Sequence, residues 1–191
     1  SIKLSFYNLL NKKKLNFTKI ELQKAELNFA LHSIKEYKAF FKKKLELKPI
    51  NLKKGEINFF DGKKRIATIR NTNFKYKTNK NKDELILRGD FLNDNIYINF
   101  KNKRNDNDLS TILILKFLDT NTKVNIFNFD SGKNITSGNV SFKKGKNRLT
   151  SIFDYKDDQI IFKQANLRNA FLDGKFDGVI KFLPYFDFNL N

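Results

Sequence analysis

From Ile57 to the C-terminus, Phe, Ile or Leu alternates with Lys, Asn or Asp in run after run, and each run closes on Gly, Asn or Asp. Ile96-Tyr97-Ile98-Asn99-Phe100 and Phe186-Asp187-Phe188-Asn189-Leu190 are the clearest cases. Successive side chains of a strand point to opposite faces, so each run makes one greasy face and one wet face. This is the signature of antiparallel β-sheet. Upstream, Ile2, Leu4 and Phe6 predict an opening strand, and Tyr7 to Asn11 a short helical turn. The stretches Leu15 to Leu22 and Ala25 to Leu31 predict two further strands.

One helix is predicted, after Ser33. Ser33 as N-cap with Glu36 three residues on forms a reciprocal capping box. Ile34, Tyr37, Phe40 and Phe41 fall on one stripe, and the helix should end near Lys44, before Pro49. From there turn signals recur at short intervals. Asp61-Gly62 is the strongest hairpin signal, and Asn93-Asp94, Ser131-Gly132, Lys144-Gly145, Asp157-Asp158 and Asp177-Gly178 punctuate the rest. Thr111 to Leu118 is apolar on both faces, which predicts a more buried strand. Strands of about 5–8 residues joined by tight turns make a meander, and no internal sequence repeat stands out. The expected fold is therefore mainly β, a long antiparallel sheet with one short α-helix near the N-terminus. It is one continuous unit with strands plus helix over 1–45 and the meander over 46–191.

The 191 residues suffice for one sheet-built domain. The chain begins with Ser and contains no Met, and it stops within a strand pattern, so it is expected to be a segment of a longer protein. Cysteine is absent, which excludes disulfides, thiolate metal sites and a catalytic thiol. No apolar stretch of about 20 residues is present to span a bilayer as a helix.

The net charge of +18 invites a nucleic-acid reading. Its composition tempers that: 32 Lys stand against 6 Arg, with 26 Asn and 21 Phe. An AT-rich genome over-produces these residues, whereas phosphate and base recognition favours the forked donors of Arg. The lysines interleave with strand residues along the whole chain, so most of the charge reads as solubilising. A stacking platform for single-stranded nucleic acid would set rings among the lysines, and only Tyr76, Tyr97 and Tyr155 are candidates. Nucleic acid is not the expected partner.

Chemistry is thinly supplied. His32 is the only histidine and has no nucleophile elbow near it. Asp173-Gly174-Lys175-Phe176-Asp177-Gly178 has too few spaced oxygen ligands for a calcium loop, and reads as two Asp-Gly turns flanking a short strand. Asp106 with Asp108, and Asp154 with Asp157 and Asp158, read as turn carboxylates. Glycine-rich phosphate loops are missing. No catalytic residue, cofactor or metal is expected, and the chain is not expected to be an enzyme. A dozen strands with one helix own more apolar face than one helix can cover, so the sheet must curl on itself, pair with another chain, or hold something apolar.

The C-terminal phrase Gln159 to Arg168, then Phe171 to Ile180, Pro184 and Phe186 to Leu190, resembles the strand, glycine turn, strand cadence of the AsmA/TamB group of bacterial envelope proteins. Ile50 to Phe59 with Ile66 to Ile69 is similar to that group's hairpins, and Phe17 to Phe41 fits its layout more loosely. The usual N-terminal membrane anchor is missing. The resemblance implies a curved antiparallel β-groove whose concave apolar face shields acyl chains, carrying phospholipid between membranes. It implies a periplasmic location, with the inner-membrane anchor in a region outside this segment and bacterial membranes reached through the parent protein. Candidate groove-lining residues are Ile57, Phe59, Ile96, Ile98, Phe100, Phe127, Phe129, Phe186 and Phe188, and lysines on the outer face or rim are expected to meet anionic headgroups. The runner-up is a basic module for nucleic acid or anionic polysaccharide, and a third reading is a structural β domain of an assembly.

Overall fold

The computed structural model describes residues 2–4, 17–33, 49–105, 108–132, 134–181 and 187–190. Its strands are β1 (Ile2–Leu4), β2 (Phe17–Gln23), β3 (Glu26–Ala30), β4 (Ile50–Asp61), β5 (Lys64–Asn79), β6 (Lys82–Phe91) and β7 (Asp94–Asn105). They continue with β8 (Asp108–Phe117), β9 (Thr122–Asp130), β10 (Thr136–Lys144), β11 (Asn147–Lys156), β12 (Gln159–Arg168), β13 (Asp173–Lys181) and β14 (Asp187–Leu190). From β4 onward the strands hydrogen-bond in chain order, as an antiparallel meander should. The chain divides into two compact units, 1–97 and 98–191, each treated by itself below. The predicted helix after Ser33 lies outside the described residues. Ser33 itself closes a 3-10 turn, Leu31–Ser33, in which His32 is exposed.

The N-terminal unit departs from the meander in one respect. β2 and β3 both run parallel to β4, along the same edge, with Ile20–Gln23 beside Ile50–Lys53 and Glu26–Ala30 beside Glu56–Phe60. The register exposes a repeat that alternation had hidden: Ile20, Leu22, Lys24, Glu26, Asn28 and Phe29 stand beside Ile50, Leu52, Lys54, Glu56, Asn58 and Phe59, the same residue each time. Lys24 and Lys54 both have positive φ, 53° and 52°, so both strands kink at the same level. The ladder is carried across the kink by Lys24 N–H donating to the Lys53 carbonyl and Glu56 N–H to the Ala25 carbonyl. A side chain at Gly55 would meet that same Ala25 oxygen at 2.6 Å, which is why glycine stands there.

Identical residues in register put like on like. The Phe29 and Phe59 rings stack with centroids 6.0 Å apart. On the other face Asn58 donates to Asn28 and accepts from Thr68, a polar rung across three strands. The apolar face closes over Leu52, Ile57, Ile69, Leu87 and Ile96, all buried. Bulges in β4 and β5 between Leu52 and Ile57 bend the pair while keeping these residues on one face. Thr72, fully buried among them, satisfies its hydroxyl on the Ile69 carbonyl at 2.9 Å.

In the C-terminal unit the register from β8 to β13 defines two faces. One carries Leu113, Ile126, Val140, Ser151, Ala165 and Phe176 in a cross-strand row, with Leu115, Val124, Phe142, Leu149 and Leu167 in the next. Ser151, Phe153 and Ala165 are buried on this face, whereas Phe129 (43%), Ile152 (49%) and Ile161 (37%) on the other face are exposed. A single layer that hides only one of its faces must bend toward that face. Gly138 and Gly178 flank the pair Phe153 and Phe162 in one cross-strand row. The extra residue of β12 between Phe162 and Ala165 adds to the bend. Asp173 to Lys181 forms one strand rather than two Asp-Gly turns: buried Gly178 is laddered between Phe162 and Leu190, so this glycine lies within a strand and does not reverse the chain.

The turns follow their chemistry. Asp157 and Asp158 both have positive φ, as do Leu92 and Asn93, the geometry of tight two-residue hairpin loops. A side chain at Gly138 would lie 2.2 Å from the Phe127 carbonyl oxygen, while one at Gly174 would meet nothing within 4 Å. Gly138→Ala should therefore destabilise by roughly 2 kcal/mol or more, and Gly174→Ala should leave stability within about 0.5 kcal/mol; thermal or urea denaturation of the two variants checks the contrast.

Candidate functional site

The candidate site is the apolar face of the C-terminal unit. Each strand there supplies every second residue to it, and the row Leu115, Val124, Phe142, Leu149, Leu167 is apolar across five consecutive strands. All five side chains are only half-buried. Among the described residues, the extensive contacts of each strand are with its ladder partners, not with a second layer.

The nine residues singled out by sequence fall into four groups. In the N-terminal unit, Ile57 (6%) and Ile96 (3%) are buried by side chains of their own chain, with Phe59 half-buried against Phe29. In the C-terminal unit, Thr111 donates to Asn102 at 2.7 Å, placing Asn102 on the face of Leu113, and the two-residue repeat puts half-buried Phe100 and Ile98 there as well. Phe127 and Phe129 lie on the opposite face, in register with Ile112 and Ser110, their rings 6.0 Å apart. Phe188 is opposite Ile180 in the ladder, and Phe186 lies outside the described residues.

Sequence reasoning passed over Leu113, Val124, Val140, Phe142, Leu149 and Phe162. The signal was available in part. Val124-Asn125-Ile126-Phe127-Asn128-Phe129 carries two apolar sets in opposite phase, and the aromatic pair outweighs the aliphatic one in sequence. Only the register with β8 and β10 shows that Val124 and Ile126 join the larger apolar surface.

The outer face of the N-terminal unit is rich in Asn, Lys and Arg. In the N-terminal unit Asn51, Lys53, Asn73, Lys75, Ile86 and Arg88 surround a cleft of about 460 Å³, and the Arg88 guanidinium sits 5.7 Å above the Tyr97 ring. Tyr97 is thus already stacked. Tyr76 is buried with its hydroxyl donating to Asp83 at 3.3 Å, and Tyr155 donates to Asp158 at 3.0 Å, with burial raising its pKa above the ordinary phenol value. Only Tyr97, half-buried, lies on a cationic face, and the three rings form no platform.

On the outer face of the C-terminal unit a charge-assisted cluster ties β10, β11 and β12 together. The Lys163 ammonium lies 2.6 Å from Asp154, and the Ser137 hydroxyl donates to it at 2.7 Å. These two partners, Lys163 first, hold the Asp154 carboxyl below its ordinary value. The carboxyls of Asp157 and Asp158 sit in the neighbouring turn. Among the described residues no group of His, Cys, Asp and Glu is placed to hold a metal ion, and no helix is long and apolar enough to cross a membrane. Comparison with family models, with curated proteins and with solved structures returned no match.

Because its folded-state pKa is depressed, Asp154 contributes stability at pH above the ordinary carboxylate value, and that contribution is lost as pH falls through the lowered one. An NMR titration of the Asp154 carboxyl should give a midpoint below the ordinary value, and Lys163→Ala should move it upward. A midpoint that does not respond to Lys163→Ala would assign the shift to other groups.

Proposed function

We propose that this chain is a non-catalytic lipid-binding segment that shelters acyl chains against the apolar face of its sheet. The observation that carries the reading is the five-strand row Leu115, Val124, Phe142, Leu149, Leu167, uniformly apolar and only partly buried, continued by Leu113, Ile126 and Val140 one pair along. Such a face in water needs a ligand or a partner. An acyl chain laid along it contributes roughly 0.8 kcal/mol for each CH₂ buried, so a few methylenes per strand give useful affinity without any polar anchor. Sheet and ligand meet through non-directional contact. The site therefore needs no perturbed acid, no metal and no ordered loop.

The cadence of β12 to β14 and the hairpin of β4 and β5 are the features similar to AsmA/TamB proteins, and with them goes the proposal of a periplasmic role in moving phospholipid between membranes through a longer parent chain. Ile98 and Phe100, which share the face of Leu113, belong to the proposed lining. Ile57 and Ile96, covered by their own neighbours, hold the N-terminal unit together instead.

A photo-crosslinking amino acid placed at Phe142 should capture phospholipid in cells, detected by mass spectrometry of the purified chain, while the same residue at Phe129, on the other face, should capture little. Equal capture at both positions, or none at either, would remove the apolar face as the lipid site.

A further inference from the structure

One residue along from the apolar row, on the opposite face, the register aligns Lys116, Lys123, Lys143, Arg148 and Arg168 directly across five strands. Strands lie about 4.8 Å apart, so this row extends over roughly 19 Å. Like charges placed directly opposite destabilise a sheet, and a chain that keeps five of them in line gains from an external anion. Two acids are close: Asp173 is 3.7 Å from Arg168, with both side chains more than two-thirds exposed, and Asp119 follows in the loop after β8. They leave a clear excess of positive charge, to which Lys144 and Lys146 add at the β10–β11 turn.

The same end of the sheet carries exposed apolar tips. Leu118 is in the β8–β9 loop, and Phe171 (98% exposed) and Leu172 lie in the β12–β13 loop. The second loop is ordered by its own hydrogen bonds. The Asn169 side-chain oxygen accepts from the N–H groups of Phe171 and Leu172 at 2.7 and 2.8 Å, and the Asn169 N–H donates to the Leu172 carbonyl at 2.8 Å. The ring is thus held outward by a tight turn, so its insertion into another phase costs little ordering. At the opposite end of these strands the charge is mixed: Asp130, Asp157 and Asp158 stand there with Lys181 and with Lys156, which lies 3.8 Å from Asp157.

From this arrangement we infer that the β8–β13 end of the C-terminal unit docks on an anionic lipid surface, with Phe171, Leu172 and Leu118 entering the headgroup region and the cation row meeting the phosphates. A nucleic acid would match the charge but would leave the aliphatic tips without a role. A bilayer surface engages both: each basic residue near an anionic leaflet contributes favourably, and shallow apolar insertion adds to it. The inference concerns intact bilayers and holds whether or not the apolar face takes up single lipids.

The test is flotation of the full chain with vesicles of phosphatidylglycerol and phosphatidylcholine, against vesicles of phosphatidylcholine alone. Binding to the anionic vesicles should be at least about tenfold stronger. Phe171→Ser should weaken it on the order of tenfold, and the pair Lys143→Glu and Arg148→Glu by about tenfold or more. All three residues are exposed, and circular dichroism checks the fold; Lys146→Glu, in an exposed turn, repeats the charge test should the pair disturb it. Equal binding to both vesicle types, or no response to either class of variant, would overturn the inference. So would a chain that ignores vesicles but binds single-stranded DNA in a manner lost with the charge variants. Lipid capture at position 142 should persist in the Phe171 variant, so that a failed groove and a failed docking end give different results.

Discussion

A sheet of one layer can hide at most one of its faces, and only by bending. That constraint organises the molecule. In the C-terminal unit it explains why small residues, Gly138, Ser151, Ala165 and Gly178, are interleaved with Phe153 and Phe162 on the inner side, and why an extra residue is inserted in β12. Each of these tightens the bend. It also explains the cost: the hydrophobic effect scales with area removed from water, and a layer bent on itself removes less of it than two layers packed face to face. The half-buried row Leu115, Val124, Phe142, Leu149 and Leu167 is what is left over. A lipid partner would turn that deficit into a binding site.

The two units solve the same problem differently. The N-terminal unit lays a near copy of one segment beside the other, Ile20 to Ala30 against Ile50 to Phe60, parallel and in register, and fills its apolar side with its own Leu52, Ile57, Ile69, Leu87 and Ile96. Identity in register is efficient because each pair matches in size by construction, Phe on Phe and Asn on Asn. The C-terminal unit has no such copy. It keeps its apolar rows half-covered, and its outer face aligns five cations near one end.

Most of the strands were legible from alternation because the two-residue period is local and β4 to β13 obey it. Pairing was not. The parallel placement of β2 and β3 depends on a ladder between residues thirty apart, and the repeat that reveals it, six identities diluted among charged neighbours, does not stand out in a chain already rich in Lys, Asn, Ile and Phe. Asp177-Gly178 was read as a turn for the same reason: a glycine laddered inside a strand looks locally like one that reverses the chain. The site was legible in kind but not in detail. Alternation shows that an apolar face exists, whereas the choice between Val124 with Ile126 and Phe127 with Phe129 belongs to register, which is set by partners across the sheet. The cation row was invisible for the same reason, since its members are spread over more than fifty residues of sequence.

The claim on which the account rests is that the face bearing Leu113, Val140 and Leu149 is the one open to an acyl chain. Methyl NMR in the presence of a spin-labelled fatty acid tests it directly, because paramagnetic broadening falls steeply with distance from the label. Broadening confined to Leu113, Val140 and Leu149, with Ile112 and Ile152 on the reverse face left sharp, is the predicted result. Broadening of Ile112 and Ile152 with the first three unaffected, or no selective broadening at all, would contradict it.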